Sequence, residues 1–139
     1  WSSDVCSSDL LFGGPEDRAD VQAVKSLMKS APSEVTGLTP LGLLPALLQS
    51  ASALVTNDSG PMHVAAAVGT PVVALFGPTS PVRTGPYGKD HRVLTHALPC
   101  SPCFSRTCRN GVERECLTAI EPAQVVEAVR RQLTAKARA

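Results

Sequence analysis

The residues best suited to chemistry lie close together at positions 58–63, in the sequence Asp-Ser-Gly-Pro-Met-His. Asp58 and Ser59 carry oxygens that can accept hydrogen bonds from free N–H groups at a helix start, a cap that contributes about 1 kcal/mol. Gly60 lets a ligand approach the backbone closely, and His63 adds an imidazole within the first helical turn. Backbone donors, the positive end of a helix dipole and an imidazole together suit the binding of a phosphate or pyrophosphate.

The segments on either side of this turn predict the elements that position it. Residues 53–55 and 72–75 are short, continuous apolar runs, typical of parallel strands covered by helices on both faces. Between them, residues 64–68 predict a buried helix that Gly69 and Pro71 end. The turn therefore lies at the carboxyl end of a parallel strand, where open α/β sheets bind their ligands. A helix cap without a ligand is the structural alternative, and the position on the strand favours a binding site.

The rest of the chain predicts a continued alternation of strands and helices. Apolar residues at helical spacing predict helices at 19–30, 41–50 and 122–133. Short segments between them predict strands at 11–13, 34–36 and 92–95. This order predicts an α/β fold with a doubly wound parallel sheet, and 139 residues suffice for one such domain.

A cysteine cluster follows the predicted strand at 92–95. Its members form the pattern C-x2-C-x4-C-x7-C: Cys100, Cys103, Cys108 and Cys116. We expect a reducing compartment, because no secretory pattern is visible, and there such a cluster favours metal or redox use over structural disulfides. The spacing of the first pair suits zinc and that of the second does not, while Pro99 and Pro102 predict an irregular loop. A surface loop with reduced thiols is the alternative to a structural metal site.

Composition excludes several classes of function. A formal charge of +1 and five aromatic residues (one Trp, one Tyr and three Phe) argue against a nucleic-acid-binding protein. The longest apolar stretch, residues 41–48, contains a glycine and a proline and falls well short of the ~20 residues that a membrane-spanning helix needs. Residues 1–10 repeat Ser-Ser-Asp and have neither helical nor strand periodicity. We expect them to be a spurious or disordered segment and leave them out of the fold prediction.

Residues 57–79 also carry a family resemblance. Their sequence, Asn-Asp-Ser-Gly-Pro-Met-His-Val-Ala-Ala-Ala-Val-Gly-Thr-Pro-Val-Val-Ala-Leu-Phe-Gly-Pro-Thr, closely resembles the signature of the glycosyltransferase family 9 heptosyltransferases, in particular the lipopolysaccharide heptosyltransferase II-like members. The resemblance continues at 84–88, 99–108 and 116–117 and covers roughly residues 11–133. A motif of this length is far more specific than a lone glycine pattern.

The resemblance implies a fold and a reaction. Residues 11–139 would form part of the C-terminal, nucleotide-sugar-binding domain of a two-domain GT-B glycosyltransferase. Such an enzyme would transfer heptose from ADP-heptose to the inner core of lipopolysaccharide with inversion, at the cytoplasmic face of the bacterial inner membrane and without a metal or other cofactor. An enzyme that uses a UDP-sugar, and a zinc-stabilised binding module, are the alternatives.

The resemblance also implies roles for individual residues. The substrate-binding residues would be Asp58, Ser59, Gly60 and His63 at the pyrophosphate and heptose, and Thr39 near the adenine. In the family, the carboxylate that deprotonates the acceptor belongs to the N-terminal, acceptor-binding half, which we expect to lie outside these residues. No catalytic residue is therefore assigned here, and we expect this segment to have no transferase activity when separate.

Overall fold

The structure is a computed structural model that describes residues 9–136 of the chain. Residues 1–8, most of the segment that we leave out of the fold prediction, lie outside the described residues. Leu10 is already part of a strand, so the boundary predicted at residue 10 falls inside an element. The chain divides between Leu44 and Pro45 into two compact units, which are described in turn.

The first unit contains a small parallel sheet. Strands β1 (Leu10–Leu11) and β2 (Ser33–Glu34) pair in parallel, and the connection between them contains helix α1 (Arg18–Leu27). Two hydrogen bonds continue the pairing beyond the strands, from the N–H of Val35 to the carbonyl of Leu11 at 3.0 Å and from Gly37 to Gly13 at 2.9 Å. The predicted helix ends early because Met28 is already extended.

The second unit contains a three-stranded parallel sheet in the order β3-β4-β5. Its strands are β3 (Leu54–Asn57), β4 (Val72–Phe76) and β5 (Arg92–Thr95). Its helices are α2 (Leu44–Ser50), which starts at the unit boundary, α3 (Gly60–Ala67), α4 (Pro81–Thr84), α5 (Glu115–Thr118) and α6 (Pro122–Lys136). Helix α3 packs on β3 and β4, whereas α6 packs on β4 and β5.

The core of the second unit surrounds the middle strand. Val72, Val73 and Ala74 are completely buried, and because consecutive side chains of a strand point to opposite faces, both faces of β4 are covered. Met62 and Ala65 of α3 are also fully buried. The strand covered on both faces that the continuous apolar run at 72–75 predicts is therefore confirmed.

The elements around the turn at 58–63 match their prediction closely. Helix α3 connects β3 to β4, and Gly69 has the left-handed backbone (φ 79°) that ends it. Thr70 then fixes the start of β4, because its hydroxyl donates a 2.7 Å hydrogen bond to the carbonyl of Leu48. The α/β class with parallel strands is confirmed in both units. Within residues 9–136, none of the helices has the length and apolarity required to cross a membrane.

Candidate functional site

The turn between β3 and α3 is built as a helix start without a side-chain cap. Ser59 occupies the N-cap position with an extended backbone (φ −152°, ψ 163°), but within residues 9–136 no side chain caps the helix. The Ser59 hydroxyl instead lies 2.9 Å from the hydroxyl of Thr56 on β3. The prediction that Asp58 or Ser59 caps the helix is therefore wrong, because both side chains have found other partners.

Asp58 is held by a residue that is distant in sequence. The hydroxyl of Thr84, the last residue of α4, donates a 2.9 Å hydrogen bond to Oδ2 of Asp58 across 26 positions of the chain. Oδ1 of Asp58 has no hydrogen-bond partner among the residues that the structure describes. Thr84 thus orients the carboxylate, and the sequence prediction did not assign it to the site. Thr84 lies in a segment that shares the family resemblance (84–88), but the resemblance does not tell which element it contacts.

Gly60 leaves the start of α3 open. The residue is exposed. With its chain neighbours and the backbone of α3 set aside, a Cβ atom built on it would meet no atom of the described residues within 4 Å. Packing within the chain therefore does not require glycine here. The first turn of α3 keeps N–H groups that have no intrahelical partner, next to an unfilled space.

His63 lies at the surface of the same helical turn. Its side chain is exposed, whereas its neighbour Met62 is completely buried. Within residues 9–136 the imidazole has no hydrogen-bond or ion-pair partner, so it is available to a ligand. Asp58, Ser59, Gly60 and His63 therefore come together on one turn. Thr39 belongs to the first unit, where it is half-buried just before Pro40.

A cavity of about 870 Å³ lies at the carboxyl end of β4. Its lining begins with Pro78 and Thr79, which follow that strand, and continues along the loop at 98–117. This loop has no helix or strand before α5, as the prolines at 99 and 102 predicted. The turn at 58–63 does not line the cavity but lies at the same edge of the sheet, because Asn57 of β3 pairs with Leu75 of β4.

The four clustered cysteines all line this cavity as free thiols. Cys116 is half-buried, and burial raises the pKa of its thiol, with further contributions from the other three. Cys108 accepts a hydrogen bond from the backbone N–H of Arg114, with 3.2 Å between nitrogen and sulfur. In the part of the chain that the structure describes, no three His, Cys, Asp or Glu side chains are arranged to hold a metal ion. Whether the thiols bind a metal stays a prediction.

The comparisons with known proteins agree on one family. The family model described as glycosyltransferase family 9 (heptosyltransferase) matches residues 8–113. A lipooligosaccharide heptosyltransferase 2 from Campylobacter jejuni is 31% identical over 123 residues, 85% of this chain and 38% of that protein. The lipopolysaccharide heptosyltransferase 2 of Escherichia coli is 37% identical over 89 residues, 61% of this chain and 26% of that protein.

Solved structures share the fold. A glycosyl transferase family 9 crystal structure from Veillonella parvula superposes with a TM-score of 0.78 at 36% identity and covers 91% of this chain and 36% of its own. The E. coli ADP-heptose lipopolysaccharide heptosyltransferase II structure gives a TM-score of 0.76 at 29% identity and covers 93% of this chain and 37% of its own. The chain thus spans less than half the length of the relatives that it matches.

Proposed function

This chain belongs to glycosyltransferase family 9, and on that basis we propose that its β3–α3 turn binds the nucleotide-sugar donor of a heptosyltransferase. The observation that carries this proposal is the open, uncapped start of α3. In the described part of the chain, its N–H groups have no side-chain acceptor and the space beside Gly60 is unfilled. A pyrophosphate in this space would receive backbone hydrogen bonds at the positive end of the helix dipole.

ADP-heptose is the donor that the relatives favour, because their names and one structure title describe heptosyltransferases and ADP-heptose. The exposed imidazole of His63 would donate a hydrogen bond to the pyrophosphate. Asp58, held by Thr84 through one carboxylate oxygen, would accept hydrogen bonds from the heptose hydroxyls with the other. Ser59 would add a hydroxyl contact, and Thr39 would lie near the adenine.

The proposed reaction is a direct displacement at the anomeric carbon of the heptose, with inversion. Negative charge develops on the departing ADP, so donors that are already positioned at the start of α3 stabilise the transition state more than the ground state. The reaction also needs a base to take the proton of the acceptor hydroxyl. We assign that base to residues outside this chain, and we therefore expect this chain alone to bind the donor without transferring the sugar.

The names of the relatives also support a proposal for the acceptor and for the compartment. The relatives named above act on lipopolysaccharide or lipooligosaccharide by their names, so we propose the inner core of lipopolysaccharide as the acceptor. The enzyme would then work at the cytoplasmic face of the bacterial inner membrane as a peripheral protein. Neither a nucleic-acid partner nor a cofactor is part of the proposal.

Calorimetric titration of this chain with ADP and with UDP tests the donor site. We expect binding of ADP, weaker binding of UDP, and at least a fivefold loss of ADP affinity in His63→Ala. His96→Ala, which removes an imidazole outside the turn, is the matched control and should bind as the parent does. Equal binding of both nucleotides would favour a UDP-sugar enzyme. No binding of either, with folding that depends on zinc, would favour the metal-stabilised module.

Turnover in the longer enzyme tests the role of Asp58. In a protein that carries this chain together with its acceptor-binding half, Asp58→Ala should lower kcat/KM at least a hundredfold, about 2.7 kcal/mol. Asp90→Ala removes a carboxylate far from the turn and should have no effect. Unchanged turnover in Asp58→Ala would count against the assignment of the turn as the donor site.

A further inference from the structure

The thiols of the cysteine loop, residues 98–117, have no role in the proposed function. All four are free and line the cavity at the carboxyl end of β4. Cys100, Cys103 and Cys108 are exposed, whereas Cys116 is half-buried. An accessible thiol can attack an external disulfide, and a second thiol nearby can then complete the exchange. The cavity therefore holds thiols suited to both steps of disulfide formation.

Contacts at the end of β4 hold both ends of the cysteine loop. Near its beginning, the Ser101 hydroxyl donates a hydrogen bond to the carbonyl of Gly77, and the backbone N–H of Phe104 donates one of 2.8 Å to the carbonyl of Pro78. Near its end, the sulfur of Cys116 lies 3.0 Å from the position that a Cβ atom on Gly77 would take. The first and the last cysteines are thus brought to the same edge of the sheet.

Cys108 lies against the start of α5. Its sulfur accepts a hydrogen bond from the backbone N–H of Arg114, with 3.2 Å between nitrogen and sulfur. Arg114 is the N-cap residue of α5, two positions before Cys116. Burial is the main cause that raises the pKa of the Cys116 thiol, and among the other three cysteines Cys108 adds the largest further rise. Cys108 and Cys116 are therefore the pair that the structure favours.

The backbone between these two cysteines has few hydrogen bonds that would oppose a change of its path. Within the described part of the chain, the N–H groups of residues 105–113 donate no hydrogen bond to a backbone carbonyl. A Cβ atom on Gly111 would also meet nothing within 4 Å among those residues. The loop can therefore bring the two sulfurs to the separation of about 2 Å that a disulfide requires.

The charged side chains of the cavity favour an anionic reaction partner. Arg106, Arg109 and Arg114 line it together with one carboxylate, that of Glu115, which already accepts a 2.6 Å hydrogen bond from the side chain of Asn110. Among residues 9–136, Arg106 and Arg109 have no ion-pair partner. Guanidinium groups bind carboxylates through paired hydrogen bonds. The volume of about 870 Å³ lies within the range of roughly 300–1,000 Å³ that is usual for small-molecule sites.

We propose that Cys108 and Cys116 form a reversible modification site for anionic low-molecular-weight disulfides such as glutathione disulfide. The thiolate of Cys108 attacks one sulfur of the external disulfide, whose S–S bond breaks, so that a mixed disulfide forms and one external thiol leaves. The thiolate of Cys116 then attacks the Cys108 sulfur and displaces the second external thiol. The two protein thiols give up two electrons and two protons, and the external disulfide takes up both as two thiols. This chemistry does not depend on the proposed function.

Reaction with glutathione disulfide, followed by peptide mass spectrometry, tests the pair of residues. Cys6→Ser in every sample leaves the four loop cysteines as the only thiols. We expect the Cys108–Cys116 disulfide as the main product and its return to thiols in excess reduced glutathione. Cys116→Ser should accumulate the mixed disulfide on Cys108, because the second attack is missing. Cys108→Ser should slow the loss of the Cys116 thiol at least tenfold, whereas Cys103→Ser, the matched control, should change neither rate nor product.

Charge variants test the class of disulfide. Arg106→Gln/Arg109→Gln should slow the reaction with glutathione disulfide at least fivefold and leave that with neutral hydroxyethyl disulfide unchanged. Lys89→Gln/Arg131→Gln removes two positive charges outside the cavity and should react as the parent does with both. Circular dichroism of each variant shows that it is folded. The unchanged reaction with the neutral disulfide shows in addition that the thiols stay accessible.

Four results would overturn the inference. Cys100 and Cys103 could form the main disulfide, Cys116→Ser could carry no glutathione on Cys108, or a bound zinc ion could leave all four thiols unreactive. Equal slowing of both disulfides in the double arginine variant would contradict the selection of an anionic partner. Binding of ADP at the turn is measured separately, so a failure of this inference leaves the proposed function in place.

Discussion

The neighbouring parallel strands β3 and β4 are each followed by a turn that contains a glycine. The two glycines differ in how closely other residues pack against them. After β3, a Cβ atom on Gly60 would meet no other atom within 4 Å. After β4, a Cβ atom on Gly77 would lie 2.6 Å from Cγ of Leu117 and 3.0 Å from the sulfur of Cys116. Residues of α5 fill the space at the second turn, whereas none of the residues that the structure describes fills the space at the first.

This difference separates two uses of glycine at the edge of a sheet. At Gly77 the missing side chain lets α5 and the cysteine loop pack against the end of β4, so the residue serves the architecture. At Gly60 no residue within 9–136 occupies the space, which leaves room for the proposed ligand. Substitution of each glycine therefore tests the proposed division between a structural turn and a binding turn.

The largest effect on stability is expected from substitution of Gly77, in the covered turn that follows β4. Gly77→Ala forces Leu117 to move, and such overpacking costs about 1–3 kcal/mol of the free energy of unfolding. Gly60→Ala, where the new methyl group enters open space, should change it by less than about 0.5 kcal/mol. Urea unfolding monitored by circular dichroism measures both. A Gly77→Ala variant as stable as the parent would show that α5 adjusts without cost, and the contrast between the turns would disappear.

The next prediction concerns ADP affinity, which we expect to depend on the open turn at Gly60. Gly60→Val should leave the unfolding midpoint unchanged but weaken ADP binding at least tenfold, about 1.4 kcal/mol, because the side chain occupies the proposed pyrophosphate position. Gly111→Val, at a site that is equally open, is the matched control and should bind ADP as the parent does. Normal ADP affinity in Gly60→Val would mean that the open space at the turn is not the donor site.

A smaller effect is expected from the contact that connects the two turns. Thr84→Val keeps the shape of the side chain but removes the hydroxyl that donates to Asp58 at 2.9 Å and to the carbonyl of Ser80 at 3.2 Å, which should cost about 0.5–1.5 kcal/mol of stability. Thr95→Val is a control on an exposed strand position. In the longer enzyme, Thr84→Val should also lower kcat while KM for the donor changes little. Equal effects of the two variants would show that the contact does not position the carboxylate.

The smallest effect concerns the thiols at the covered turn. Because its pKa is raised, Cys116 has less thiolate at a given pH than an ordinary cysteine, and its alkylation at pH 7.5 should be severalfold slower than that of Cys103. The difference should narrow as pH rises towards and beyond the ordinary thiol value. Peptide mass spectrometry after a short iodoacetamide pulse measures both rates. Faster alkylation of Cys116 than of Cys103 would contradict the packing of Cys116 against Gly77.

Most of the fold around the turn could be predicted from local sequence. The apolar runs that became β3 and β4 are short, continuous and bounded by turn residues, and both strands lie within two residues of their predicted bounds. The predicted strand–turn–helix unit that carries Asp58, Ser59, Gly60 and His63 is present, whereas the role of these residues in binding stays a prediction. The prediction of a side-chain cap was wrong: the Ser59 hydroxyl lies against that of Thr56, and Thr84 holds the Asp58 carboxylate through Oδ2.

The cysteine loop could be predicted much less well. Prolines at 99 and 102 correctly indicated irregular structure, but neither the cavity nor the contact of Arg83 with the Phe104 ring corresponds to a periodic pattern in the sequence. The two interpretations of the cysteine cluster, a structural metal site and a loop with reduced thiols, both stay predictions. Irregular loops are arranged by contacts with distant residues, and the attachment of this loop to Gly77 and Pro78 is one that local patterns do not encode.

The sequence by itself determined the α/β class, the order of elements around residues 53–79 and the family, because all three depend on local periodicity and on a contiguous motif. The tertiary structure alone decided that Thr84 holds Asp58, that Gly60 is open while Gly77 is covered, and that the loop at 98–117 lines a cavity at the carboxyl end of β4. These outcomes depend on which residues meet across tens of positions in the chain. Packing at the carboxyl edge of the sheet selects those partners.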